Sequence, residues 1–423
     1  MLERWRAINQ KKAICLIVLS LSLFSLLTPV VAQQTSVNWS TTFRGNYERN
    51  GVYSSVAPLS NQTLWVFPTA NSIEYTSAAV VDGVVYAASH DHFVYALDAA
   101  TGQKLWSFET GNSVEASPTI ANGVVYIGSK DKNVYALNAI SGQQIWNFTT
   151  GDVIYSCPVV QNGIVYIGSN DKYIYALDAE TGAKVWSYNT GNVIWSSPAF
   201  INGVLYVTPF YNVLAIDASN GEKVWEHTTL DSIYGSPSVV DGIVYYTSND
   251  GKLYALNADT GEEKWSYQTN ESASSSPAVA NTVVYFGSND NNLYALDVSS
   301  GNKIWSFQTG DDILSSPAIV NDVVYVGSND FYLYALNAQT GDLLWNYKTN
   351  QGVESTPAIA NGVLYVGSMD SNLYAFGSIT VPQPTPAVPE LTTWASAILL
   401  IISTIFIATQ AKRMRHNYYQ RKI

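Results

Sequence analysis

The sequence predicts an all-β protein, an eight-bladed β-propeller of four-stranded antiparallel blades, followed by one C-terminal transmembrane helix. Three observations predict it. Eight tryptophans, Trp65, Trp106, Trp146, Trp186, Trp225, Trp265, Trp305 and Trp345, recur every 39 to 41 residues. Each interval holds four short apolar runs separated by turn residues, the pattern of one propeller blade. Near the C-terminus a long apolar stretch is followed at once by basic residues, as at the cytoplasmic end of a spanning helix.

Residues 1–32 read as a secretory signal. Arg4, Arg6, Lys11 and Lys12 form a basic head, Ala13 to Leu27 an apolar run, and Val30-Val31-Ala32 a cleavage site of small residues. The alternative is an uncleaved anchor, but the apolar run is short for a spanning helix. Residues 33–60 form a lead-in, with Trp39, Phe43-Arg44-Gly45 and Gly51, expected to lie against the ring.

Residues 61–379 are the predicted propeller, and residues 146–186 show its unit. A strand at Trp146–Thr149 is followed by a turn at Gly151-Asp152 and a strand over Ile154–Val160. Asn162-Gly163 is a hairpin signal because both residues tolerate a left-handed backbone. Strands at Ile164–Gly168 and Tyr173–Leu177 follow, separated by Asn170-Asp171 and ended by the turn Asp178–Gly182. The final unit, Glu354 to Gly377, has three strands and no tryptophan after it. Trp65 has no three strands before it. The strand Leu64–Phe67 is therefore expected to complete the last blade, removing a free sheet edge and giving eight blades.

Residues 380–390 are a Pro-rich stalk, extended because proline locks φ. Residues 391–410 are the predicted transmembrane helix, with Leu391 to Thr409 apolar and Trp394 at its start. Residues 411–423 form a basic tail containing Lys412, Arg413 and Arg415. The positive-inside rule puts the tail in the cytoplasm and the propeller on the extracytoplasmic side of a cell membrane. A Pro-Glu pair, an apolar helix and a basic tail also resemble the sorting signals of exosortase-like enzymes. That resemblance implies removal of the helix; a plain anchor is the preferred reading.

The 423 residues are 47% hydrophobic and 13% charged, with 29 Tyr and 12 Trp, a balance that favours strands. The net charge of −12 excludes a basic nucleic-acid-binding face. Of the two cysteines, Cys15 lies in the signal and Cys157 alone in the body. No intrachain disulfide and no Cys-rich metal site are expected in the mature chain. Sequons stand at Asn38, Asn61, Asn147 and Asn270.

A motif, Ala96-x-Asp98-x-x-Thr101-Gly102-x-x-x-Trp106, returns at Ala136/Asn138/Gly142/Trp146 and in five further copies, the last at Ala335/Asn337/Gly341/Trp345. It resembles the tryptophan-docking motif of PQQ-repeat (quinoprotein-like) propellers, including the non-enzymatic outer-membrane assembly factor. The eight repeating tryptophans are accordingly read as docking residues, plates between blades.

Two ring positions are candidates for a site. A Ser-Asn-Asp turn supplies Asp91, Asp131, Asp171, Asp250, Asp290, Asp330 and Asp370, read as turn-closing residues rather than calcium ligands. Blade four breaks the pattern with Thr208-Pro209-Phe210-Tyr211. The second position varies from blade to blade and is expected at the channel mouth. From it Tyr75, Glu115, Tyr155, Trp195, Tyr234 and Glu354 are candidate binding residues, Tyr155, Trp195 and Tyr234 forming an aromatic arc that stacks on a sugar, peptide or planar ligand.

The expected function is a membrane-anchored extracytoplasmic binding or scaffold module for a surface protein or glycan. No catalytic residues, metal or cofactor are expected. The alternative is a PQQ-dependent dehydrogenase, which the resemblance brings with it. Those enzymes add long insertions, a calcium site and often adjacent cysteines, none of which this sequence has. His90, His92, His227 and His416 are scattered.

Overall fold

The computed structural model describes residues 43–377. It contains eight four-stranded antiparallel sheets. Blade one runs from Ala79–Val81 through Val84–Ala88 and Phe93–Asp98 to Lys104–Glu109. Blades two to seven repeat that order, innermost strand first. Blade eight takes Ala358–Ala360, Val363–Ser368 and Asn372–Gly377 from the end of the chain and Thr63–Pro68 from its beginning. Trp65 faces Ala375 and Pro68 faces Asn372 across that join. The ring closes as the tryptophan count predicts.

The innermost strands are only three residues long. In blade three the strand expected over Ile154–Val160 covers Val159–Gln161 alone. Pro158 has no N–H for a ladder, and the Cys157 N–H is taken by Ser197 Oγ of the next blade at 2.9 Å. The mouth residues therefore stand on loops that precede the strands, not on the strands themselves.

Each tryptophan ties its blade to the next. Trp146 Nε1 donates to the Ala179 carbonyl at 3.0 Å, and Trp225 Nε1 to Ala258 at 2.8 Å. The indole lies on the motif glycine: a Cβ on Gly182, whose φ is +72°, would sit 2.7 Å from the Trp146 ring. Blade eight lacks the turn that would receive Trp345. The Pro58 carbonyl of the lead-in takes its place, accepting from Trp345 Nε1 at 3.2 Å and from the Tyr325 hydroxyl at 2.9 Å. The core between blades is Val, Ile, Leu and Tyr from the two middle strands, with an alanine of full burial opposite each tryptophan, as at Ala176 and Ala215.

The lead-in closes one end of the channel. The carbonyls of Tyr47, Glu48, Asn50 and Gly51 accept from the N–H groups of Phe200, Val239, Val279 and Ile319, the innermost strands of blades four to seven, at 2.8–2.9 Å. Arg49 is fully buried and donates to the carbonyls of Phe43, Cys157, Pro158 and Pro198 at 2.7–3.3 Å. Burial still lowers its pKa, to about 10.

The sequons Asn61, Asn147 and Asn270 are exposed. The expected signal, stalk, transmembrane helix and basic tail, with Asn38, lie outside the described residues. Among the described residues no helix is long and apolar enough to cross a membrane.

Candidate functional site at the channel mouth

The loop before each innermost strand and the turn between the second and third strands converge on the open end of the channel. A cavity of about 500 Å³ lies there, with Phe43 of the lead-in among its lining residues. Below the mouth runs a ring of hydrogen bonds from blade to blade. The N–H of Ser77 donates to Ser117 Oγ, that of Ser117 to Cys157 Sγ, and that of Cys157 to Ser197 Oγ. Ser197, Ser236 and Ser276 continue it to Ser236, Ser276 and Ser316, at 2.9–3.0 Å. Each bond satisfies a backbone amide of the loop that precedes the innermost strand. Cys157 thus stands where its neighbours carry a hydroxyl.

The structure brings all six candidate mouth residues to this cavity: Tyr75, Glu115, Tyr155, Trp195, Tyr234 and Glu354 line it. They are not spread evenly. Trp195 and Tyr234 stack at 4.9 Å with planes 11° apart, and Tyr155 meets Trp195 edge-on at 5.9 Å. Phe210 packs edge-on against Trp195 at 5.5 Å. Phe210 comes from the turn where blade four departs from the repeat, and its φ is +35°. The irregular turn builds the aromatic wall.

The opposite side is acidic. The Glu115 carboxylate accepts from Lys130 Nζ at 2.8 Å and lies 3.5 Å from His90 Nε2. The same ammonium stands 5.4 Å from the Tyr155 ring centroid. Its hydrogen bond to Glu115 raises the Lys130 pKa. Glu354 is only 7% exposed, and its Oε2 has no hydrogen-bond partner. Burial pushes this carboxyl up; the Tyr75 and Asn329 side chains oppose the shift, and Glu74 and Asp312 reinforce it. Tyr75 sits at a left-handed φ of +57°, and burial and Glu354 push its hydroxyl pKa up. The polar turn residues Asn289 and Asn329 each bury an Oδ1 without a partner, and Asn289 lines the cavity. Sequence reasoning did not single out Lys130, Asn289 or Asn329. Their turn position recurs beside the repeating aspartate and carries no variation as marked as the aromatic arc.

The seven turn aspartates point into the scaffold. Asp131 Oδ1 accepts from the Asn133 N–H at 2.9 Å, and its Oδ2 accepts from the Gly111 N–H and the Tyr135 hydroxyl at 2.7 Å. Every one of the seven accepts from the tyrosine four residues on, at 2.6–2.7 Å. Their oxygens are spent on turns and blade contacts. Among the described residues no group of three or more His, Cys, Asp or Glu is placed to hold a metal ion.

Fold, repeat and docking geometry together define a propeller of the PQQ-repeat class. A family model described as the beta-propeller of the beta-alanine-activating enzyme matches residues 68–323, and one described as outer membrane protein assembly factor BamB matches residues 300–380. The first spans more than half of the chain, which therefore belongs to that β-propeller family. No curated protein matches the sequence. Among solved structures, BamB from Moraxella catarrhalis is 20% identical, with a TM-score of 0.66 over 75% of this chain and 99% of that one. The quinohemoprotein alcohol dehydrogenase from Comamonas testosteroni is 16% identical, with a TM-score of 0.68 over 82% of each chain. A europium-containing methanol dehydrogenase is 14% identical, with a TM-score of 0.71 over 80% of this chain and 98% of that one. At these identities the likeness is one of fold.

The dehydrogenases raise the question of whether this mouth suits their quinone. Pyrroloquinoline quinone is a planar tricarboxylate. The mouth presents carboxylates of its own, Glu115 and Glu354, and Lys130 is already paired with Glu115. One face of Trp195 is covered by Tyr234. The residues present do not fit the group.

Proposed function

We propose that this chain is a non-enzymatic binding propeller, tethered at the extracytoplasmic side of a membrane, that holds a protein or glycan partner at its channel mouth. The observation that carries the reading is the one-sided mouth. Scaffold positions repeat around the ring, but Tyr155, Trp195, Phe210 and Tyr234 gather on blades three to five. Trp195 and Tyr234 remain 36% and 38% exposed. Large aromatic rings half open to water at the rim of a cavity are an unfinished contact, the usual mark of a binding surface. The lead-in is bonded to the innermost strands of blades four to seven, and its Phe43 lines the cavity. The likeness to BamB, by its name an assembly factor, supports a protein partner. The basic head and the apolar C-terminal stretch followed by basic residues support the membrane location.

The test is capture of partners from native membranes by the full chain, compared with Tyr155→Ala/Trp195→Ala. Selective loss of a partner from the variant is expected; an unchanged set of partners would sink the mouth as the site. Incubation with the quinone and Ca²⁺ tests the alternative. A stoichiometric quinone absorbance in the purified chain would overturn the non-enzymatic reading in favour of a dehydrogenase.

A further inference from the structure

We propose that the mouth binds an organic ammonium ligand, with the charged nitrogen against the Glu354 carboxylate and the body of the ligand reaching across the channel to Trp195 and Tyr234. The proposal rests on the mouth being the binding site and names the chemistry of what it takes. Three observations carry it.

Glu354 is more than nine-tenths buried, lines the cavity and leaves Oε2 without a partner. A buried carboxylate oxygen without a hydrogen-bond partner is costly even where Tyr75 and Asn329 bond to the same carboxylate, so a cation that completes it gains more than one meeting a carboxylate in water. Glu354 is not the cavity's lone unsatisfied acceptor. Asn289 Oδ1 is a second buried acceptor without a donor, and an ammonium brings donors only. Finally, the protein already holds one ammonium in this manner. Lys130 Nζ lies 2.8 Å from Glu115 and 5.4 Å from the Tyr155 ring centroid, a carboxylate on one side and an aromatic face on the other. Glu354 and the Trp195–Tyr234 wall offer the same two components farther apart, and the residues that line the cavity include no Lys or Arg. Glu354 stands on blade eight and Trp195 and Tyr234 on blades four and five, across the mouth, so the ligand must be long enough to cross it. A free arylalkylamine and the lysine side chain of a protein partner share this chemistry.

The experiment is calorimetric titration of the full chain in detergent with tryptamine, with the peptide acetyl-Trp-Lys-amide, with indole-3-propionate and with maltotriose. Tryptamine or the peptide should bind one per chain. Binding by the peptide alone points to a protein partner, and by tryptamine alone to a free amine. Indole-3-propionate, with the same ring and the opposite charge, should bind about tenfold more weakly or not at all. Glu354→Gln and Trp195→Ala should each weaken the ammonium probe by about tenfold, with thermal melting confirming the fold. Should Glu354→Gln not fold, the comparison of tryptamine with indole-3-propionate on the unaltered chain decides. Equal binding of those two probes, or no ammonium binding into the millimolar range, overturns the proposal. Binding of maltotriose alone, lost in Trp195→Ala, overturns it too but leaves the mouth as the site. The mouth itself falls only if membrane partners are indifferent to Trp195.

Discussion

Glu354 costs the protein stability where it stands. Burial raises its pKa, the Tyr75 and Asn329 side chains oppose the rise, and Glu74 and Asp312 add to it, leaving the carboxyl above its ordinary value. A carboxyl raised in the folded state favours folding while protonated. That contribution is full below the unfolded value of 4.5 and is lost as pH rises through the folded value. Glu354→Gln imitates the protonated form. It should therefore melt above the parent chain at neutral pH and level with it below pH 4.5, as thermal scans at the two conditions will read. The two lead-in arginines make a second pair of expectations. Arg49→Met strands four carbonyls and should cost about 3 kcal/mol by denaturant unfolding. Arg44 is equally buried, but its three guanidinium nitrogens have no hydrogen-bond partner among the described residues, and burial lowers its pKa to about 9. Arg44→Met should be neutral or stabilising in the same measurement. The sequence shows two arginines five residues apart beside glycines. Nothing local says that one is satisfied and the other is not, because three of the four partner carbonyls of Arg49 are more than a hundred residues away.

At the scale of elements, hairpins and docking strands were legible and the plug was only partly so. Asn162-Gly163 forms its turn with both φ values positive, +52° and +76°, because the side chains there allow it. The strand Leu64–Phe67 was placed in the last blade by counting alone, and it forms there over Thr63–Pro68. The lead-in was expected against the ring, but its pairing with four blades in turn is made by backbone groups, which carry no signature in side-chain type. The innermost strands were read too long, since the loop-to-strand boundary is fixed by a hydrogen bond to the neighbouring blade. A measurable consequence follows for the plug. The amides of Phe200, Val239, Val279 and Ile319 should exchange slowly with deuterium in the intact chain. In Arg49→Met they should quicken as a group, while the paired amides of the middle strands remain protected.

The whole molecule separates a repeated scaffold from a mouth that does not repeat. Eight indoles and seven turn aspartates do the same task in blade after blade, so periodicity alone revealed them. The mouth was visible as the place where equivalent positions differ, which is why all six residues chosen from the sequence line one cavity. Lys130 and the unpaired acceptors escaped because pairing is a property of distance, and distance across a ring is not written in sequence spacing. Blade four shows the two levels meeting. Its broken turn gives up the aspartate–tyrosine tie of the other seven blades and contributes Phe210 to the aromatic wall. The central claim is that partners meet this rim and not the opposite face. It is tested most directly by placing a photo-crosslinking benzoylphenylalanine at Tyr211, 41% exposed on the blade-four turn, or at Ile140, 90% exposed on a turn of the far face, in the full chain in native membranes. A crosslinked partner at Tyr211 that is absent at Ile140 and lost when Trp195→Ala is added is the predicted result. The same partner captured equally at Ile140, or captured at Tyr211 whether or not Trp195 is present, would contradict it.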